Sequence, residues 1–156
     1  MRGRGYVLVK WFKVSIYIIL IYVFTKFSHQ QLYTGSSFKD ARADKLSKFL
    51  QRYNSTINAR EYIEAADKYH IDWRLLPAIA GVESTFCRNY IHNCFGWNSD
   101  RTPASADHVA RKITTLGYYR AWQKDKANIY LLAVPYNYVH PEEWTSKVSF
   151  FMGQIQ

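Results

Sequence analysis

The chain has 156 residues, of which 48% are hydrophobic, and a formal net charge of +9. That length leaves room for one modest domain with an appendage and excludes anything larger. The charge suggests nucleic acid only until it is divided along the chain, because Arg2, Arg4, Lys10, Lys13 and Lys26 place five of the nine charges in residues 1–27, where no acid occurs. The mild remainder suits anionic lipid headgroups or an anionic cell wall at least as well, and no nucleic-acid partner is expected.

The first predicted element is the apolar run Val14 to Phe24, broken only by Ser15 and preceded by four cations. Eleven residues match the apolar part of a signal peptide better than a full span, which takes about 20 residues. With Lys10, Lys13 and Lys26 extended towards the headgroups, however, Tyr6 to Phe27 is long enough to cross a bilayer. No small-x-small cleavage site follows the run. Residues 1–27 are therefore read as an uncleaved single-pass anchor at the cell membrane, basic end inside and the remainder on the extracytoplasmic face. Secretion after cleavage is the alternative.

Residues 28–54 read as a linker containing Gly35-Ser36-Ser37, followed by an amphipathic helix over 40–53 whose apolar stripe is Ala43, Leu46, Phe49, Leu50 and Tyr53. The pattern is equally consistent with packing on the domain and with lying along a membrane surface. Residues 55–156 form the domain proper. Asn58 followed by Glu61 is a capping-box pattern, and Tyr62, Ile63, Ala66 and Tyr69 continue at helical spacing to an end near His70. Asp72 is placed to cap the next helix, where Pro77 predicts either a kink or a later start.

That helix carries the residue on which a functional reading turns. Glu83 is one of two charges in the otherwise apolar run Trp73 to Phe86. Helical spacing puts Leu76, Ile79 and Phe86 on its face. Most helical Glu residues are solvated or ion-paired. In an oily stripe, desolvation raises the carboxyl pKa and suits it to donate a proton. Cys87 and Cys94 follow at once; a disulfide pinning the intervening loop is expected if the domain is exported, with a reduced pair or a metal site shared with His92 as alternatives. Two Cys and one His fall short of four ligands, so neither metal nor cofactor is expected.

Further on, Ser105 is a predicted cap for a helix with Ala106, Val109, Ile113 and Leu116 inward, and Pro141 opens a last helix with Trp144, Val148, Phe151 and Met152 on one face. Between them lies an aromatic stretch, Tyr118 to Tyr138. Trp73, Trp122 and Trp144 are assigned to the core, and the fold class is mainly α.

The segment Glu64-Ala-Ala-Asp-Lys-Tyr-His-Ile-Asp-Trp-Arg-Leu-Leu-Pro-Ala-Ile-Ala-Gly-Val-Glu83-Ser-Thr-Phe resembles the catalytic core of lysozyme-like enzymes of the SLT lytic transglycosylase type, related to goose-type lysozymes. Asn93-Cys94-Phe95-Gly96-Trp97 is similar to a turn found in a subgroup of exported bacterial members, and Val134-Pro135-Tyr136-Asn137 with the final helix resembles the end of that subgroup. Together these cover most of residues 58–153. His70 departs from the usual Gly at a helix end, and the Gly-Leu-Met-Gln motif of better-known members is replaced by the Gly-Trp turn.

The resemblance implies a lysozyme-like helical domain that cuts peptidoglycan glycan strands, with Glu83 as catalytic acid and Ser84 holding it by a hydrogen bond. It places Trp97, Tyr136 and Asn137 against the substrate, where Tyr136 or Asn137 would bond Glu83 or an N-acetyl group. It further implies a one-acid lytic transglycosylation at the MurNAc-GlcNAc β-1,4 bond. A muramidase or endo-β-N-acetylglucosaminidase on the same scaffold is the close alternative, and a catalytically weak wall-binding module the distant one. Hydrolysis would need a second carboxylate. Asp100 and Asp107 are nearest in sequence, although both also read as ordinary turn or helix-start residues; Glu142 and Glu143 read as first-turn helix charges. The sequence names no envelope-assembly partner.

Overall fold

The Asp40 carboxylate starts the first described helix, its Oδ1 accepting the Arg42 backbone N–H at 2.9 Å. This is a computed structural model, and it describes residues 40–88, 94–97 and 105–156; the expected anchor, the linker over 28–39, His92 and Asp100 lie outside the described residues. Helix α1 (Ala41–Gln51) buries Leu46, Phe49 and Leu50 and packs on α2 (Ala59–Lys68). Its stripe therefore belongs to the domain core. Lys39–Gln156 is one compact unit, which includes α1.

Helix α2 is capped by Asn58, whose Oδ1 accepts from the Arg60 N–H at 3.1 Å while its amide reaches Glu61 at 3.2 Å. It ends where expected. The Ile71 N–H returns to the Ala66 carbonyl and the His70 N–H to that of Asp67, with His70 left-handed at φ 52°. This is the closure usually made with glycine.

Helix α3 (Leu75–Ser84) starts later than Asp72, which instead accepts the Arg74 N–H in the turn leading in. Pro77 is the third helical residue, where a backbone N–H has no partner inside the helix, so its ring costs no bond and produces no break. Every residue from Leu75 to Gly81 is buried, which makes α3 the central helix of the unit. It packs against the C-terminal helix, called α7 below.

The helix stops two residues short of Phe86. Thr85, Phe86 and Cys87 are left-handed in succession, at φ 52°, 57° and 63°, and they swing Phe86 back over the opposite side of α3. A Cβ on Gly81 would lie 2.5 Å from the Phe86 ring. Gly81 is two residues from Glu83 and so faces about 200° away from it. Phe86 thus packs with Phe49, Tyr53 and Phe151 and leaves Glu83's face, contrary to the uninterrupted helical reading.

Helix α4 (Ala106–Thr115), capped by Ser105, buries Ala106, Val109, Ala110 and Ile113 and packs on α2. The aromatic stretch after it, which carries no clear period, divides into a 3-10 turn (Gly117–Tyr119), a short helix α5 (Arg120–Lys124) and α6 (Ile129–Tyr136). Helix α7 (Pro141–Gln154) opens on Pro141 and buries Trp144 and Val148. There is no strand among the described residues, and no described helix is long and apolar enough to cross a membrane.

Candidate active site

Glu83 sits in the last turn of α3, partly buried. Its Oε1 accepts the indole N–H of Trp144 at 2.7 Å, and no cation pairs with it among the described residues. Burial pushes the carboxyl above its ordinary value, and the Trp144 hydrogen bond opposes that rise. An acid lifted in this way keeps its proton nearer to neutrality than a solvated Glu does.

The other carboxyl oxygen fixes the character of the neighbouring loop. A Cβ on Gly96 would lie 2.5 Å from Glu83 Oε2, and Gly96 is left-handed at φ 70°. Both facts require glycine there, one by contact and one by backbone conformation. The loop is fastened at its start by the Cys87–Cys94 disulfide. That bond removes the reduced and metal-binding alternatives for these cysteines. Closing so short a loop stabilises by about 2.5 kcal/mol on chain-entropy grounds.

Ser84 acts on the loop rather than on the acid. Its single hydroxyl proton is shared between the carbonyls of Ala80 and Cys94, each 2.9 Å from the Ser84 oxygen, which also accepts the Cys87 N–H. It is buried, and none of these three bonds reaches Glu83.

Beside the acid runs an aromatic stack. Trp144 and Tyr136 have centroids 4.9 Å apart at 31°, and Tyr136 and Trp97 are 5.3 Å apart at 30°. The ammonium of Lys112 is 5.2 Å from the centre of the Trp97 ring, a cation–π arrangement. Tyr136 donates its hydroxyl proton to the Phe95 carbonyl at 2.8 Å. Burial first, and then the Glu83 charge, push that phenol well above its ordinary range, so it stays neutral. Its donor is spent on the loop and not on Glu83. The Asn137 Oδ1 accepts the His140 N–H at 3.3 Å, shaping the turn into α7. Of the expected substrate contacts, the structure brings Trp97 and Tyr136 into one stack leading to the acid, and gives Ser84 and Asn137 structural bonds.

Among the described residues, Asp107, Glu142 and Glu143 are engaged elsewhere. Asp107 pairs with Lys68 at 2.6 Å, and this contact, ahead of burial, holds it below the usual carboxylate range. Glu142 accepts from the Tyr130 hydroxyl, and Glu143 pairs with Lys147 one turn on. The residue that sequence reasoning missed is Trp144. Its position on the inward face of α7 reads as packing, and nothing in the sequence shows that its N–H meets a carboxyl 61 residues away.

Comparison with protein-family models, with curated proteins and with solved structures returned no match.

Proposed function

We propose that the protein is a membrane-anchored, lysozyme-like enzyme that cleaves peptidoglycan glycan strands by lytic transglycosylation. The observation that carries this reading is Glu83 itself, a desolvated carboxyl without a cation partner among the described residues, set against a stack of three aromatic rings. Such a carboxyl suits general acid work, and Trp97, the half-buried outer ring of the stack, offers a sugar a flat face. The sequence resemblance independently names the same Glu.

In the proposed reaction the Glu83 carboxylic acid protonates the departing glycosidic oxygen as the bond to C1 breaks, leaving an oxocarbenium-like centre. The carboxylate then accepts the proton of the sugar's 6-hydroxyl while that oxygen closes on C1. A 1,6-anhydro end results, the acid is regenerated, and no water is consumed. One carboxyl suffices for both steps, which agrees with Asp107, Glu142 and Glu143 being committed to other partners. The Trp144 N–H supports the carboxylate half of the cycle.

The test is mass spectrometry of fragments released from purified peptidoglycan by the full chain and by its Glu83→Gln variant. Anhydro-ended fragments that disappear in the variant are expected. Reducing ends would mean a hydrolase, and release of nothing by either protein, with binding retained, would mean a wall-binding module.

A further inference from the structure

The second feature of the surface that reads as a binding site lies away from Glu83, where α1 meets the last turn of α7. A groove of about 420 Å³ is lined there by Lys45 and Lys48 of α1, by Arg52 just past its end, by Gln154 of α7 and by Gln156 beyond. The three cations are spaced three and four residues apart, so they share one face of α1. No acid lines the groove. None of the three makes an ion pair among the described residues, whereas Arg42, on the same helix, pairs with both Asp40 and Asp67. Asp44 is the nearest acid along α1, and it forms no ion pair with Lys48 one turn away. The groove thus concentrates positive charge and has the Gln154 side chain beside it, while the Gln156 amide donates to the Gly153 carbonyl at 3.2 Å; clustered cations of this kind hold phosphate or carboxylate oxygens.

An exposed aromatic residue narrows the class of ligand. Phe150 is 60% exposed and stands one turn before Gln154 on α7, on the same side of the helix. A free phosphate or a soluble polyanion gains nothing from an exposed phenyl ring. An anionic lipid surface takes both, with headgroups against the cations and the ring at the acyl boundary. The groove also begins five residues after Asp40, and the fifteen residues separating Phe24 from Asp40 span at most about 50 Å.

We infer that the groove formed by Lys45, Lys48, Arg52 and the last turn of α7, with Phe150 beside it, is a docking site for anionic lipid headgroups. It would hold the domain against the bilayer in one orientation. The reach from Phe24 rests on the proposed anchor; the groove and Phe150 do not. Trp144 and Gln154 are ten residues apart on α7, so docking would keep the Glu83 site about 15 Å along that helix from the lipid-facing turn.

The test uses the full chain in nanodiscs of phosphatidylcholine, with and without phosphatidylglycerol as one third of the lipid, and follows backbone hydrogen exchange over residues 45–52 and 148–156. Exchange roughly tenfold slower in the anionic discs is expected, with the difference lost in the Lys45→Gln/Lys48→Gln/Arg52→Gln variant, lost at about 1 M salt and reduced by Phe150→Ser. Equal exchange in both lipids, or protection that persists in the triple variant, would overturn the inference. So would equal protection by soluble glycerol phosphate in neutral discs, because the site would then recognise phosphate alone. The melting temperature and glycan release of each variant are measured in parallel, which separates loss of the fold or of the proposed activity from loss of docking. Recovery of the chain with neutral discs reports on the anchor alone.

Discussion

Two carboxylates of this domain, Glu83 and Asp107, lie near helix ends, and their surroundings drive them in opposite directions. Asp107 begins α4 in the open, where the Lys68 ammonium at 2.6 Å holds it ionised. Glu83 ends α3 among apolar side chains, receives a single neutral donor from Trp144, and is pushed up by burial. Both side chains end in a carboxyl group. What differs is that the fold buries one without a cation among the described residues and gives the other an ammonium in the open, and burial leaves Glu83 better suited to hold and give up a proton.

The comparison is broken most completely by Glu83→Gln, expected to lower glycan cleavage by about a thousandfold in product-release assays, while Asp107→Asn changes it less than threefold. The same variant should be the more heat-stable protein at neutral pH. A carboxyl raised in the folded state binds more protons there than in the unfolded chain, so stability falls as pH rises from the ordinary carboxylate range through the raised value. Glutamine lacks that fall, and melting curves should converge in acid below about pH 4, where both proteins are neutral at this position.

Gly96→Ala comes next. The added methyl would meet Glu83 Oε2 on a left-handed backbone, and cleavage should drop by about a hundredfold with a stability loss of about 1–2 kcal/mol in denaturant titrations. Trp144→Phe keeps a ring beside Tyr136 and removes only the donor. About tenfold in rate should be lost, and because that hydrogen bond lowers the Glu83 pKa, the alkaline limb of the pH–rate profile should move to higher pH. The smallest effect belongs to Asp67→Asn at the exposed rim. Arg42 is the first cause holding Asp67 below its ordinary range, so the pair's contribution is present at neutral pH and fades as pH falls through Asp67's folded value; the loss at neutral pH should be under about 1 kcal/mol in urea titrations, with cleavage unchanged.

How much of this was legible in the sequence varies with the kind of signal. Caps and periodicity located α1, α2, α4 and α7 closely, because Asn58, Ser105 and Pro141 act on neighbours in the chain. They did not reveal that α1 belongs to the core, since an apolar stripe is the same whether it meets protein or lipid. Phe86 was assigned to the wrong face because three successive left-handed residues have no compositional mark when none is glycine. The candidate acid was readable as a lone charge in an oily helix. Its Trp144 partner was not, because a buried indole reads as packing until the fold shows where its N–H points.

The disulfide has a consequence in time as well as in space. Glu83 and Gly96 lie on either side of the ring that Cys87 and Cys94 close, and the Phe95 carbonyl that anchors Tyr136 is beside it. A newly made chain in a reducing compartment has this ring open. Its acid would then lack the fastened loop beside it, and that loop would be closed only where thiols are oxidised.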